Sequence, residues 1–306
     1  MRTLLAVALL VGCTSVASAC DVCGCSISGN YFGILPQFNR HFVGFRWSDR
    51  AFQTAHTPSA LKRGEFHSQE QYYTMDALLR FYPHRRVQLL ALVPYQFIQR
   101  KEGGNVTNVK GLGDVSLMAN YLVVNSGDSL QRKWRHTLAA GLGVKLPTGK
   151  YRHGSGGTEV INANLQAGSG STDVTLGLQY TLRRGSFGLA TDVFYRINTA
   201  NKQGYQFGNR LNGSFKFFYW KNIRRGTLSV LPNAGVFAET AAADHQDGIE
   251  MGGTNGNVTL GLLGLDAYIG GRVSAGVTFQ KPLRQYLGEG SIQAGNRWMF
   301  TLNYIF

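Results

Sequence analysis

The sequence predicts an all-β protein, a single transmembrane antiparallel β-barrel of about twelve strands. Three observations predict this fold: apolar residues recur with period two, short and long connections alternate, and the last segment is an alternating aromatic strand. The composition agrees, because 12% of the residues are aromatic and 39 are glycine, which suits strands joined by tight turns. No apolar run reaches the ~18 residues of a helical membrane span.

Twelve segments carry the period-two alternation. Most are near the ~9–11 residues that cross a bilayer obliquely, and their even number suits a closed single-chain barrel. The predicted strands lie near 42–48, 74–81, 87–97, 115–123, 138–146, 174–182, 189–197, 215–219, 230–236, 263–269, 273–279 and 297–306.

Short and long connections alternate along the chain. Short ones lie at 83–86, 183–186, 221–226 and 270–271, and the notable long ones at 49–66, 147–170 and 239–256. Short periplasmic turns opposite long external loops are typical of outer-membrane barrels. The predicted location is therefore the bacterial outer membrane, with the N-terminus and the C-terminus both periplasmic.

The final segment alternates aromatic and apolar residues with polar ones and ends on an aromatic residue. Its outward residues are Trp298, Phe300, Leu302, Tyr304 and Phe306. This pattern resembles the assembly signal of bacterial outer-membrane proteins. The predicted partners are the barrel assembly machinery, outer-membrane lipids and lipopolysaccharide.

The first residues predict export. Residues 1–19 hold a basic start, an apolar stretch and an A-x-A site, which predicts a signal peptide cut before Cys20. A lipoprotein-type box ending at Cys13 is the alternative, but cleavage there would leave a signal shorter than the ~15 residues usually found. Residues 20–39 then form a periplasmic or plug segment, and 40–306 form the barrel.

Three cysteines lie in the short segment after the predicted cleavage site. Cys20, Cys23 and Cys25 cannot all pair with one another, so one interpretation is a single disulfide, with or without a lipid anchor on Cys20. The other is a Cu(I) or Zn site, because closely spaced thiolates suit both ions. No other cofactor is predicted.

Residues between the outward apolar ones should point into the barrel. Eight of them are basic and five acidic, which predicts a polar, net basic lumen. They are Arg46, Arg80, Lys145, Arg196, Arg210, Lys216, Arg272 and Arg297, with Asp76, Asp114, Asp173, Asp192 and Asp266. These charges either leave a narrow open pore or pair across the barrel and plug it.

The formal net charge of +14 does not indicate nucleic-acid binding. Basic residues are spread through turns and alternating strand positions, without the dense cluster or recognition helix that nucleic-acid binding uses. Basic turns beside anionic lipid headgroups explain the charge better.

Several stretches resemble a family of bacterial outer-membrane transporters named after the phenol meta-cleavage pathway. They are GLGD at 111–114, GVKLPTGK at 143–150 and LQAGSG at 165–170 with Asp173, supported by VPY at 93–95 and KPLRQ at 281–285. The CxxCxC leader resembles a subset of this family. The resemblance implies an outer-membrane barrel that passes a small solute.

Two functions follow. The first is a passive channel for small solutes with a preference for anions. The alternative is a metal- or redox-handling protein in which the leader binds copper and the barrel serves mainly as an anchor. An enzyme is not predicted, because His136, the outward strand histidine, lies far from the external rim where a lipid-cleaving site would need it.

Overall fold

The computed structural model describes residues 40–56, 66–126, 133–151, 163–224 and 227–306. The signal peptide, the segment 20–39 and its three cysteines lie outside these residues. The described residues form seventeen strands and one 3-10 turn. The strands are β1 Phe42–His56, β2 Phe66–His84, β3 Val87–Glu102, β4 Asn105–Leu112, β5 Ser116–Asn125, β6 Trp134–Lys145, β7 Asp173–Arg184, β8 Phe187–Ile197, β9 Tyr205–Gln206, β10 Arg210–Tyr219, β11 Lys221–Arg224, β12 Leu228–Ala241, β13 Asp244–Gln246, β14 Ile249–Met251, β15 Gly256–Ile269, β16 Val273–Leu287 and β17 Ile292–Ile305, with the turn at Gly288–Gly290.

Twelve of these strands close into one antiparallel barrel, which confirms the predicted fold class. They are β1, β2, β3, β5, β6, β7, β8, β10, β12, β15, β16 and β17. The first and last strands meet, with Phe42 opposite Ile305, so the sheet has no free edge. Two short strands also pair with barrel strands: β4 pairs with β3, and β11 pairs with β12. Strands β9, β13 and β14 form a small separate sheet. No helix among the described residues is long and apolar enough to cross a membrane.

The two ends of the barrel differ in their connections. At one end, called the turn end, tight turns join β2 to β3, β7 to β8 and β15 to β16, and the barrel's first and last strands begin and finish there. At the opposite end, called the loop end, longer segments join β6 to β7, β8 to β10 and β12 to β15. The connection from β16 to β17 also lies at the loop end, but it is short.

The outer wall is apolar and the inner wall is mostly polar, as period-two strands require. On β2, for example, Leu79 and Phe81 are exposed on the outside, whereas Asp76, Leu78 and Arg80 are buried inside. Exposed aromatic residues form a belt near each end of this apolar band, which is the position they take at membrane interfaces. The belts include Phe81, Tyr121, Trp134, Phe187 and Tyr304 at the turn end, and Tyr73, Phe97, Tyr195, Tyr286 and Trp298 at the loop end.

The strands are longer at the loop end than the sequence predicted. The segment 49–66 was expected to be a loop, but β1 continues to His56 and β2, 19 residues long, begins at Phe66. The expectation was wrong because polar residues occupy both faces there, which hides the apolar alternation although the strand pairing continues. Likewise, the expected loop 239–256 contains the end of β12 and all of β13 and β14.

Interruptions of the strand register lie toward the ends of the strands. They fall at Arg50/Phe52 and Gln280/Leu287 toward the loop end, and at Phe81/His84 and Leu122/Val124 toward the turn end. Another irregularity, at Thr259/Leu260, is also in the loop-end half. The pairing of β16 with β17 is interrupted from Gln280, halfway along β16, whereas the other barrel pairings are continuous in their middle.

Candidate solute pathway in the barrel lumen

The barrel interior holds most of the charged residues that the alternation selected. Those buried there are Arg46, Asp76, Arg80, Asp114, Lys145, Asp173, Arg210, Lys216 and Arg297. Asp192, Arg196 and Asp266 lie on the inward face of β8 and β15 and are partly buried. Asp114 differs from the rest because it lies between β4 and β5 in a segment without regular structure.

Arg272 does not face the lumen. It is exposed in the tight turn between β15 and β16. The prediction was wrong because β15 ends at Ile269 and β16 begins at Val273, so the strand alternation does not extend to residue 272.

Four buried charged residues of the inner wall were missed by the sequence reasoning: Arg50, Glu70, Arg100 and Glu239. Arg50 and Glu70 fall within the expected loop 49–66 or just beyond it, and Glu239 opens the expected loop 239–256. Arg100 lies past the predicted end of the third strand. Extending the period-two count beyond the last apolar residue of each strand would have found them.

Most interior charges are neutralised by a partner across the strands. Arg46 Nε lies 2.6 Å from Asp76 Oδ2, and Arg210 Nη1 lies 3.3 Å from Glu239 Oε1. Lys216 Nζ lies 3.7 Å from Asp192 Oδ2. Pairing of this kind is what makes buried charge tolerable.

One region of the lumen keeps a local excess of positive charge. Arg50 lies directly opposite Arg297 on neighbouring strands, and Arg196 lies directly opposite Arg210. Glu239 interacts electrostatically with Arg210, Arg297 and Arg50, and also with Arg196, which has Asp173 and Asp114 as further acidic neighbours. These four arginines with their shared glutamate are called the arginine cluster.

An apolar layer lies next to the arginine cluster, toward the loop end. The Arg297 guanidinium lies 5.8 Å from the Phe52 ring, and that of Arg50 lies 5.9 Å from the Tyr72 ring. The layer consists of Phe52, Tyr72, Ile98, Leu165, Phe237, Val258, Leu260, Leu287, Ile292 and Ala294. A smaller apolar cluster of Phe42, Leu78, Leu92 and Ile305 lies at the turn end. Apolar clusters thus lie on both sides of the arginine cluster, and buried charged residues share their levels: Glu70 is opposite Phe52, and Arg80 is opposite Phe42.

The described part of the connection between β6 and β7 that leads into β7, residues 163–172, folds into the barrel rather than away from it. Asn164, Leu165, Gln166 and Ala167 are buried, and Leu165 belongs to the apolar layer. A cavity of about 80 Å³ remains between this segment and the wall. Its lining includes Arg50, Asp76, Lys145 and Arg196.

Asp114 fastens this inward loop to the wall. Its Oδ2 accepts hydrogen bonds from the backbone N and the Oγ of Ser169, at 2.9 and 2.7 Å, and its Oδ1 accepts one from Gly149 N at 3.0 Å. Lys145 Nζ lies 3.1 Å from Asp114 and 2.5 Å from Asp173, and it also contacts Ser169. These residues are called the loop latch.

The latch requires two glycines at the point where the two arms of the loop touch. A methyl group on Gly168 would lie 2.6 Å from the Gly149 backbone, and one on Gly149 would lie 2.6 Å from Gly168 Cα. Backbone atoms cannot move aside as a flexible side chain does, so neither position accepts a side chain without displacing the loop.

The family model described as "Putative MetA-pathway of phenol degradation" matches residues 71–281, more than two thirds of the chain. This chain belongs to that family. No curated protein is similar enough to match it.

Solved structures similar to this member of the MetA phenol-degradation family are outer-membrane barrels. An outer membrane channel from Pseudomonas putida F1 has a TM-score of 0.63 and 13% identity, over 92% of this chain and 100% of the channel. The β domain of the Bordetella autotransporter BrkA has a TM-score of 0.47 and 13% identity, over 87% and 99%. A structure titled CymD monoaromatic hydrocarbon channel has a TM-score of 0.39 and 9% identity, over 88% and 89%. The first of these supports the barrel fold.

The family motifs singled out in the sequence meet at the loop latch. Asp114 ends the first motif, Lys145 and Gly149 lie in the second, and Gly168 and Ser169 lie in the third. Segments separated by up to 55 residues are thereby joined at one point of the inner wall. In this member of the family, the motifs hold the inward loop in place.

A second loop contact lies nearer the loop end. Asp244, at the start of β13, accepts a hydrogen bond of 2.5 Å from Tyr205 Oη and one of 2.7 Å from Gly208 N. Burial raises the pKa of the Asp244 carboxyl, and Arg210 opposes that rise. The contact ties the small sheet of β9, β13 and β14 to the connection between β8 and β10.

Metal binding by Cys20, Cys23 and Cys25 stays a prediction, because these residues lie outside the described part of the chain. Within the described part, no three His, Cys, Asp or Glu residues are grouped as a metal site requires. His136 does lie on the outer wall, where its Nδ1 is 2.8 Å from Tyr180 Oη.

Proposed function

We propose that this protein is a passive channel of the outer membrane for small solutes, with a preference for anions set by the arginine cluster. The observation that carries the proposal is a charged, partly hollow interior inside a closed barrel whose outer wall is apolar. The turn end then faces the periplasm and the loop end faces outward, as short turns and long loops are arranged in such barrels.

The arginine cluster is the expected selectivity element. Elsewhere in the lumen, basic and acidic residues are close to balance, whereas Arg50, Arg210 and Arg297 share Glu239, and Arg196 shares Asp173 and Asp114 with Lys145. A low-dielectric wall focuses the field of such a cluster on a passing ion. With Arg50, Arg100, Glu70 and Glu239 added and Arg272 removed, the described part of the lumen has nine basic and seven acidic residues, so the preference depends mainly on this local excess.

Replacing Arg50 and Arg297 with Gln should move the reversal potential of the purified protein toward cation preference in a planar bilayer. The two substitutions remove two positive charges from the cluster and leave Glu239 in place. The shift should be larger at 0.1 M salt than at 1 M, since the Debye length falls from about 10 Å to about 3 Å.

Arg272→Gln is the matched control, because Arg272 lies exposed in a turn and should leave selectivity unchanged. Equal shifts in the control and in the double variant would refute the assignment to the arginine cluster. A folded wild-type protein that carries no current would contradict the channel itself.

A further inference from the structure

A concave basic surface lies at the turn end, on the rim of the barrel, where Arg135 and Arg183 continue the inward faces of β6 and β7 and Arg184 continues the outward face of β7. It is formed where the start of β6, the turn between β7 and β8, and the junction of β10 with β11 come together, and its volume is about 680 Å³. Among the residues that the structure describes, five basic residues line it and no carboxylate does. The five basic residues are Lys133, Arg135, Arg183, Arg184 and Lys221, and Trp220 also lines the surface.

The charge of this surface is not balanced by the described residues around it, in contrast to the lumen. The ion pairs of the described residues include none of its five basic residues. Arg135 and Arg183 are close enough to repel each other. Five cations side by side thus favour an anion from outside the chain.

Aromatic rings hold two of these cations in position. The Arg183 guanidinium lies 5.1 Å from the Trp220 ring, and that of Arg184 lies 5.0 Å from the Trp134 ring. Trp134 is 47% exposed and Phe187 is 69% exposed on the adjoining outer wall. Aromatic residues of this kind lie at headgroup level, so the basic surface is at the depth of lipid phosphates.

The sequence shows the same asymmetry along the whole turn end. The described residues of this end, at 82–88, 125–126, 133–135, 183–187, 219–224, 227–228 and 270–273, contain nine of the 31 basic residues and no acidic residue. Much of the net charge of +14 is therefore at this end. Basic segments next to a membrane surface are attracted to anionic lipids.

We propose that this concave surface binds the phosphate headgroup of an anionic phospholipid. The guanidinium groups of Arg135, Arg183 and Arg184 suit the phosphate oxygens, because each offers several donors in one plane. Lys133 and Lys221 add charge at the rim. The acyl chains then run along the apolar outer wall beside Phe187, which favours a membrane lipid over free phosphate.

The test supplies the folded, purified protein with phosphatidylglycerol or with phosphatidylcholine. Native mass spectrometry then measures how much of each lipid the protein retains. The triple variant Lys133→Gln, Arg135→Gln and Arg183→Gln should lose most of the retained phosphatidylglycerol. The control variant Arg85→Gln, Arg86→Gln and Arg272→Gln removes the same charge from other turns and should keep it. Folding of both is checked by gel mobility before and after boiling.

Equal retention by the triple variant, or equal loss by the control, would overturn the site. Displacement of the lipid by inorganic phosphate alone would make it a free-anion site instead. If the triple variant fails to fold, Lys133→Gln alone replaces it, because Lys133 is exposed. Quenching of tryptophan fluorescence by brominated phosphatidylglycerol should then weaken in that variant, and unchanged quenching would overturn the proposal.

Discussion

Replacing Gly168 with Val is expected to raise the single-channel conductance several-fold. Any Cβ at this position would lie 2.6 Å from the Gly149 backbone, so the inward loop has to leave its place. The hydrogen bonds from Gly149 and Ser169 to Asp114 would then break together. With Leu165 and Gln166 withdrawn, the narrow cavity beside Arg196 opens to the loop end. Current through single channels in a planar bilayer measures the change directly.

Gly111→Ala provides the matched control. Gly111 belongs to the first family motif, but a methyl group there would meet only Ala167 Cβ at 3.5 Å, an ordinary contact. Conductance of this variant should equal that of the wild type. If Gly168→Val also conducts like the wild type while the barrel stays folded, the inward loop does not narrow the pathway.

Asp114→Asn addresses the same latch by its charge. The substitution keeps the size of the side chain but removes its carboxylate from Lys145, whose other partner is Asp173. Conductance should rise less than with Gly168→Val, because the backbone contact between the two glycines remains.

Lys216→Met is expected to lower the free energy of unfolding by about 3–5 kcal/mol, the range for removing one partner of a buried ion pair. Lys216 is 1% exposed and faces Asp192 at 3.7 Å and the nearby Asp266. Without the ammonium group, two partly buried carboxylates have no cation between them. Urea unfolding of the protein in lipid vesicles, followed by gel mobility, measures the loss.

Two further variants separate the charge effect from a packing effect. Adding Asp192→Asn and Asp266→Asn to Lys216→Met should recover much of the lost stability, because the uncompensated charge is removed. Lys221→Met, an exposed lysine beyond the end of the same strand, should change stability by less than about 0.5 kcal/mol. A large loss that the added Asn residues do not relieve would mean that the cost comes from packing instead.

Strand number and facing could be predicted from the sequence because lipid imposes an apolar face on every membrane-spanning strand. Leu79 and Phe81 identify the outward face of β2, so the inward positions of Asp76 and Arg80 follow by parity. Where the strands extend beyond the membrane at the loop end, lipid no longer requires an apolar outward face. The apolar alternation therefore does not show that β1 continues past Ser48. For the same reason, the inward positions of Arg50 and Glu70 were not predicted.

The inward loop could not be predicted, because its position depends on contacts between distant segments. Asp114, Lys145 and Ser169 were each noticed in a motif, but nothing in their spacing says that they meet. The close approach of Gly149 and Gly168 is likewise a property of the folded chain. One feature of the sequence pointed to such a contact: Asp114 is a charged residue just outside a predicted strand, where it could bind a loop.

The placement of the register irregularities bears on how such a barrel changes over evolutionary time. One inserted residue in the middle of a strand would exchange the lipid-facing and lumen-facing sets for the rest of that strand. Near a strand end, a bulge absorbs the extra residue within a few positions, as between Arg50 and Phe52. Descendants of this chain can therefore lengthen or shorten single strands at their rims, while the membrane-spanning middle accepts length changes only in steps of two.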